Sequence, residues 1–310
     1  MSRLRSVATA GAFAVLSLAL GGFSCSKKSA ATPPDPGPAV PFEAPAQKGA
    51  AKPQAEAAPE PGEAAPEAKP EAAAGDGDKF TALAEKLPSP CGKSESLKRT
   101  LEADPGCKSG PFAKRFVEHL LKLRAGDDEI EELYRNRFGA REPKGFNLRE
   151  TPFAGTANAP VVIVEFYDYQ CPHCREAAPI LEQVVAEHPH DVVLYYKQYP
   201  LRKESMEMAR GALAAQRQGK FKAVHGKLFE AQNREDVLRI AESAGLDMER
   251  FKKDLDDPAL NAKINADKEE AQKAKLQGTP TIYINDRMFV DSLSPDRFGD
   301  WIDEELALNR

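Results

Sequence analysis

Residues 161–174 read Val-Val-Ile-Val-Glu-Phe-Tyr-Asp-Tyr-Gln-Cys-Pro-His-Cys. The apolar run Val161–Phe166, broken only by Glu165, has the composition of a central strand buried on both faces. Cys171 and Cys174 follow it. Pro172 suits the first turn of a helix, where a missing N–H costs nothing. The spacing then puts both thiols on one helix face, where they can close a small disulfide ring. Cys171 stands at the positive end of that helix, which favours a thiolate, and a protonated His173 adds to the effect. Strand, Cys-Pro-His-Cys and helix together describe a redox-active dithiol.

Working outward, Pro172–His188 has the period of a helix with Ala177, Ile180, Leu181, Val184 and Val185 inward. Val192–Tyr196 reads as a second strand. From Ser205 to about Lys275 the pattern is helical throughout, with boundaries near Gly219, Asn233 and Gly245. Thr281–Ile284 and Met288–Val290 form a hairpin around Asn285-Asp286. Ser294 caps a last helix, Pro295–Leu308, that packs Phe298, Trp301 and Ile302. Strand–helix–strand, a long helical insertion, then hairpin and helix is an α/β arrangement of the thioredoxin type.

The segment Glu165-Phe-Tyr-Asp-Tyr-Gln-Cys171-Pro-His-Cys174 resembles the active site of the DsbA-like thioredoxin-fold family. Gly278-Thr279-Pro280-Thr281 resembles that family's cis-proline loop. The resemblance covers about Phe153 to Arg310 and implies a thiol-disulfide oxidoreductase that needs no cofactor. Cys171 exchanges with the substrate, and Cys174, one turn deeper, resolves the mixed disulfide. A carboxylate at Glu165 is costly to desolvate, so its pKa is expected to rise. The family makes it the acid that assists proton transfer at Cys174; the alternative is a local cap or pair, and Lys197 is a weak candidate partner. A cis Pro280 sets Thr279 beside Cys171, where an extended substrate adds main-chain hydrogen bonds. Phe166, Tyr167 and Tyr169 either line an apolar rim or belong to the core.

Toward the N-terminus, Arg3 and Arg5 precede the short apolar stretch Ala10–Leu20 and then Cys25, an order that resembles a bacterial lipoprotein signal. Residues 1–25 are therefore expected to be a signal with Cys25 lipidated, although Gly22 and Phe23 depart from the usual pattern. Residues 26–78 are nearly all Ala, Pro, Glu, Lys, Gly and Gln and bury too little to fold, so they read as a disordered Pro/Ala-rich tether. Residues 79–150 form a small helical segment. Within it Phe112–Leu123 carries Phe116, Leu120, Leu121 and Leu123, and Asp127 caps a helix that buries Ile130, Leu133, Tyr134 and Phe138. Cys91 and Cys107 flank one short helix. In an exported protein such a pair forms a structural disulfide worth about 3 kcal/mol; a second redox pair exchanging with Cys171 and Cys174 is the alternative. The main domain spans 151–310, with the insertion at about 204–275.

A net charge of −5 over 310 residues gives no support for nucleic-acid binding. The expected partners are exported proteins with free thiols or disulfides and a membrane or soluble redox partner that recycles Cys171–Cys174, with the membrane reached through the lipid anchor. The expected location is the periplasmic side of a bacterial cell envelope. Disulfide donation is the leading activity; isomerase or reductase activity is its rival. A copper- or zinc-binding module using Cys171, Cys174 and His173 is the alternative from another class, but two thiolates and one imidazole leave a tetrahedral zinc site incomplete. His119 and His225 read as packing histidines, His188 and His190 as a solvated turn, and Lys263–Lys275 as a solvated helical face.

Overall fold

Val161–Tyr167 takes the middle of a five-stranded sheet, with six of its seven residues buried. The computed structural model describes residues 76–309, so the signal, Cys25 and nearly all of the tether lie outside the described residues. The strands are β1 (Phe153–Gly155), β2 (Val161–Tyr167), β3 (Val192–Gln198), β4 (Thr281–Ile284) and β5 (Arg287–Met288), in the order β1-β3-β2-β4-β5. β2 runs parallel to β3, from Val161 opposite Val192 to Tyr167 opposite Gln198. On its other side it is antiparallel to β4, with Ile163 opposite Ile284 and Phe166 opposite Thr281. The β4–β5 turn has Asn285 and Asp286 at φ 43° and 68°, the left-handed pair that a tight hairpin requires. β1 escapes the sequence pattern because three residues are too few to show a period. Its Gly155 has φ +89°, and a Cβ there would lie 2.3 Å from the Val192 carbonyl oxygen.

Among the described residues four helices precede the sheet: α1 (Asp76–Lys86), α2 (Leu97–Ala103), α3 (Gly110–Lys122) and α4 (Asp127–Phe138). α5 (Pro172–Glu187) joins β2 to β3. Between β3 and β4 come α6 (Ser205–Gln216), α7 (Phe221–Leu228), α8 (Arg234–Ser243), α9 (Met248–Leu255) and α10 (Pro258–Lys273), and α11 (Pro295–Asn309) ends the described chain. The insertion breaks at Gly219 and Gly245, both at positive φ, and at Asn233, which caps α8. A further break at Asp257-Pro258 went unanticipated; the Asp257 carboxylate accepts from the Ala259 N–H at 2.9 Å and Pro258 opens α10.

Several local expectations need correcting. Gly126, not Asp127, is the N-cap of α4; Asp127, Asp128 and Glu129 fill its first turn, where the helix dipole favours them. Leu123 is 57% exposed because α3 ends one residue before it. The stretch Lys263–Lys275 is not simply solvated, since Asp267 and Ala271 are buried.

One face of the sheet is closed by α5 and α11, with Ile163 and Tyr167 meeting Leu181, Phe298 and Trp301 in the main core. The other face packs Val164, Phe166 and Tyr283 against Ala271 of α10. The first four helices have their own cluster, in which Leu83, Ala84 and Leu87 meet Phe116, Leu120, Ile130 and Tyr134. The Cys91–Cys107 disulfide closes the loop that carries α2.

Charge as well as packing joins those helices to the core. Arg137 of α4 is fully buried and reaches Asp300 at 3.1 Å and Glu304 at 3.2 Å on α11, and Asp291 at 3.5 Å. Its guanidinium carbon lies 4.3 Å from the centre of the Trp301 ring. Arg287 of β5 donates to the Arg137 carbonyl at 2.9 Å and pairs with Glu304 and Glu305. Ser109 donates to Glu304 at 2.9 Å. Buried charges persist only when paired in this way. Arg137→Met is therefore expected to lower the free energy of unfolding in urea by about 1.5–3 kcal/mol, because it removes the buried cation shared by Asp291, Asp300 and Glu304 while each keeps at least one other arginine; a loss below about 1 kcal/mol would show that these pairs do not hold the helices.

Candidate active site

β2 ends at Tyr167, and the three residues that follow deliver Cys171 to the start of α5. Asp168 shapes this loop: its carboxylate accepts from the Gln170 N–H at 2.7 Å and the Leu201 N–H at 2.8 Å, and its carbonyl accepts from the Cys171 N–H at 3.0 Å. Cys171 is the N-cap of α5, with extended backbone angles, and Pro172 is the first helical residue. No side chain caps this helix end, so its unpaired N–H groups lie next to Cys171. Both thiols are free; Cys171 is partly exposed and Cys174 fully buried. His173 is exposed, with Nδ1 3.6 Å from the Glu176 carboxylate.

The loop before β4 comes to the same place. The Thr279–Pro280 peptide bond is cis, and the Cys171 thiol donates to the Thr279 carbonyl at 3.2 Å. Thr281 donates back to the Gly278 carbonyl at 2.8 Å, tightening the turn. Pairing of β4 with β2 thus brings together two segments 108 residues apart.

Glu165 lies in β2 with only 1% of its surface exposed. One carboxylate oxygen, Oε1, has no hydrogen-bond partner. Burial raises its pKa to about 8, helped by the negative charges of Cys171 and Glu182. Burial also pushes the Cys174 thiol well above its usual range, with Glu165 adding to the effect. A proton is therefore held strongly at both groups.

Lys197 does not pair with Glu165. The alternation of β3 sends it to the opposite face from Tyr196, where its ammonium sits 2.7 Å from both Asp267 and Glu270. Phe166, Tyr167 and Tyr169 are core residues, each 0–1% exposed, and form no rim. Asp168 escaped the sequence reading, although an Asp two residues before a paired N–H is a recognisable local turn signal.

A family model described as thioredoxin matches residues 147–304, leaving out the first four helices. A Bacillus anthracis protein described as "Probable disulfide bond formation protein D" is 31% identical over 147 residues, which is 42% of this chain and 68% of that protein. "Na(+)/H(+) antiporter NhaA 1" of Mycolicibacterium vanbaalenii is 32% identical over 139 residues, 42% of this chain; the chain spans only 22% of the antiporter's length. Among solved structures, a thioredoxin-like oxidoreductase from Silicibacter pomeroyi DSS-3 is 35% identical with a TM-score of 0.48, covering 53% of this chain and 96% of its own.

The pKa of Glu165 carries a sign that can be checked. A carboxyl at about 8 when folded and 4.5 when unfolded holds its proton in the native state across that interval. The native state then binds more protons than the unfolded one, so stability falls as pH rises from 4.5 toward 8. Glu165→Gln is expected to flatten this dependence and to gain on the unsubstituted protein as pH rises, read from urea unfolding at a series of pH values. Parallel curves for the two proteins would show that Glu165 is ionised in the fold.

Proposed function

The chain belongs to the thioredoxin family, and from that premise we propose that it is a thiol-disulfide oxidoreductase that donates the Cys171–Cys174 disulfide to exported proteins. The observation that carries the reading is the meeting of a partly exposed thiol, a buried thiol, a buried acid and the Thr279 carbonyl at the end of β2. A substrate thiolate attacks Cys171 Sγ; the Cys171–Cys174 bond breaks, and Cys174 leaves with the electron pair. Glu165 supplies the proton that Cys174 then holds, in keeping with the raised pKa of both groups. A second substrate thiolate attacks the substrate sulfur of the mixed disulfide and releases Cys171 as a thiolate. The substrate loses two electrons and the protein pair gains them. Thr279 and Pro280 are the substrate-binding residues, offering backbone to an extended segment. Pro172 opens the helix, and His173 tunes the pair from the surface.

The antiporters' transport activity is not part of the reading, because the chain matches so little of their length. An export signal in residues 1–25, lipidation at Cys25, a tether that gives way to α1 at Asp76 rather than at residue 79, and delivery to the periplasmic side of the envelope complete the proposal. The Cys91–Cys107 disulfide supports an oxidising compartment, and its role is structural. No described helix is long and apolar enough to cross a membrane. A metal module gains no support from the geometry, since His173 turns toward Glu176. The recycling partner is a redox protein, membrane-bound or soluble.

Two measurements test this. Cys174→Ser is expected to accumulate mixed disulfides between Cys171 and substrate proteins, visible as adducts that disappear on reduction, whereas Cys171→Ser forms none. An equal adduct yield from both variants would refute the assigned order of attack. The reduction potential separates direction: a value near about −120 mV fits a disulfide donor, and one near about −270 mV a reductase.

A further inference from the structure

The stretch 225–231, which ends α7 and leads toward α8, touches the redox loop on both sides of Cys171. His225 Nδ1 lies 2.9 Å from the Tyr169 hydroxyl. The Gln170 side-chain amide donates to the Ala231 carbonyl at 2.8 Å. The Arg175 guanidinium donates to the Phe229 carbonyl. Tyr169 and Gln170 immediately precede Cys171, and Arg175 immediately follows Cys174.

The first of these contacts is the end of a buried polar row. Gln198 Nε2 donates to the Tyr167 hydroxyl at 2.5 Å, and Tyr167 donates to the Tyr169 hydroxyl at 2.9 Å. The Tyr169 hydroxyl and His225 Nδ1 share the last hydrogen bond of the row at 2.9 Å. Burial holds His225 at a pKa of about 3, so the ring is neutral near neutral pH. The rings also interlock: Tyr167 meets Tyr169 edge-on at 4.9 Å, and His225 stacks on Phe221 at 4.8 Å. Packing alone would be met by phenylalanine at these positions. Buried hydroxyls and an imidazole add a requirement of geometry, because each loses its partner if the loop moves.

We infer that segment 225–231 is a clamp on the redox loop that favours the dithiol over the disulfide, with His225 as its positioning residue. The inference rests on the oxidoreductase reading and deepens it. The three contacts are formed with Cys171 and Cys174 as free thiols. In this inference the strain of closing the disulfide falls on the flanking residues Tyr169, Gln170 and Arg175, so the bonds that hold them make the disulfide a stronger oxidant. The five-helix insertion thereby acts on the chemistry through the residues that flank the two cysteines.

The test equilibrates the full chain with glutathione and glutathione disulfide. The reaction is protein disulfide plus two glutathione giving protein dithiol plus one glutathione disulfide. Alkylation and mass spectrometry of the peptide containing Cys171 and Cys174 read the reduced fraction separately from Cys91–Cys107. Gln170→Met and His225→Phe are each expected to shift the constant about fivefold toward the protein disulfide, the effect of losing one hydrogen bond. His225→Asn, which restores a hydrogen-bonding group near Nδ1, is expected to recover most of that shift. Gln170→Met alters a partly buried side chain and keeps the test decisive if His225→Phe does not fold. Constants unchanged in the variants while the unsubstituted protein equilibrates normally would overturn the clamp alone. An unsubstituted protein that never exchanges with glutathione would overturn the oxidoreductase reading and the clamp with it.

Discussion

Everything in the site depends on one constraint: β2 is paired along both edges and buried on both faces. It cannot slip by one residue without sending Glu165 to the face of Phe166 and exposing neither. The register fixes where the strand stops. That stop, with the Asp168 turn after it, fixes where α5 begins and hence where Cys171 and Cys174 stand. The same pairing carries β4, and with β4 the Thr279 carbonyl, to the Cys171 thiol. The dithiol is thus a consequence of sheet geometry more than of the four residues that contain it.

Burial is used differently on the two sides of the molecule. Around Cys174 it leaves an acid and a thiol without compensating cations, which raises both and keeps their protons available. Around Arg137 it is met by opposite charge, with Asp291, Asp300 and Glu304 surrounding one guanidinium and Trp301 beneath it. The first environment suits proton transfer, and the second holds one element against another. Lys197 belongs to the second kind, which is why it is unavailable to Glu165.

The central strand, the dithiol helix, the hairpin and the last helix were legible because each announces itself over short range: an apolar run, Cys-Pro-His-Cys, Asn-Asp and Ser-Pro. Glu165 was legible as an acid inside an apolar run, but its face relative to Lys197 was not, because that depends on the register of β2 against β3. β1 was not, being too short for any period. Arg137 was illegible for another reason: on α4 alone an arginine reads as a solvent-facing charge, and only α11, far along the chain, supplies its acids. His225 was readable as a packing residue, but its bond to Tyr169 joins positions 56 residues apart and has no local signature. What the sequence withheld were pairings between distant polar groups.

The most direct test of the account is residue-resolved alkylation of the reduced protein by iodoacetamide, followed by mass spectrometry before and after mild oxidation. The account predicts that Cys171 is modified well before the buried Cys174, and that after oxidation both are protected within one Cys171–Cys174-linked peptide. Modification of Cys174 as fast as Cys171, or oxidation that leaves the two unlinked, would contradict it.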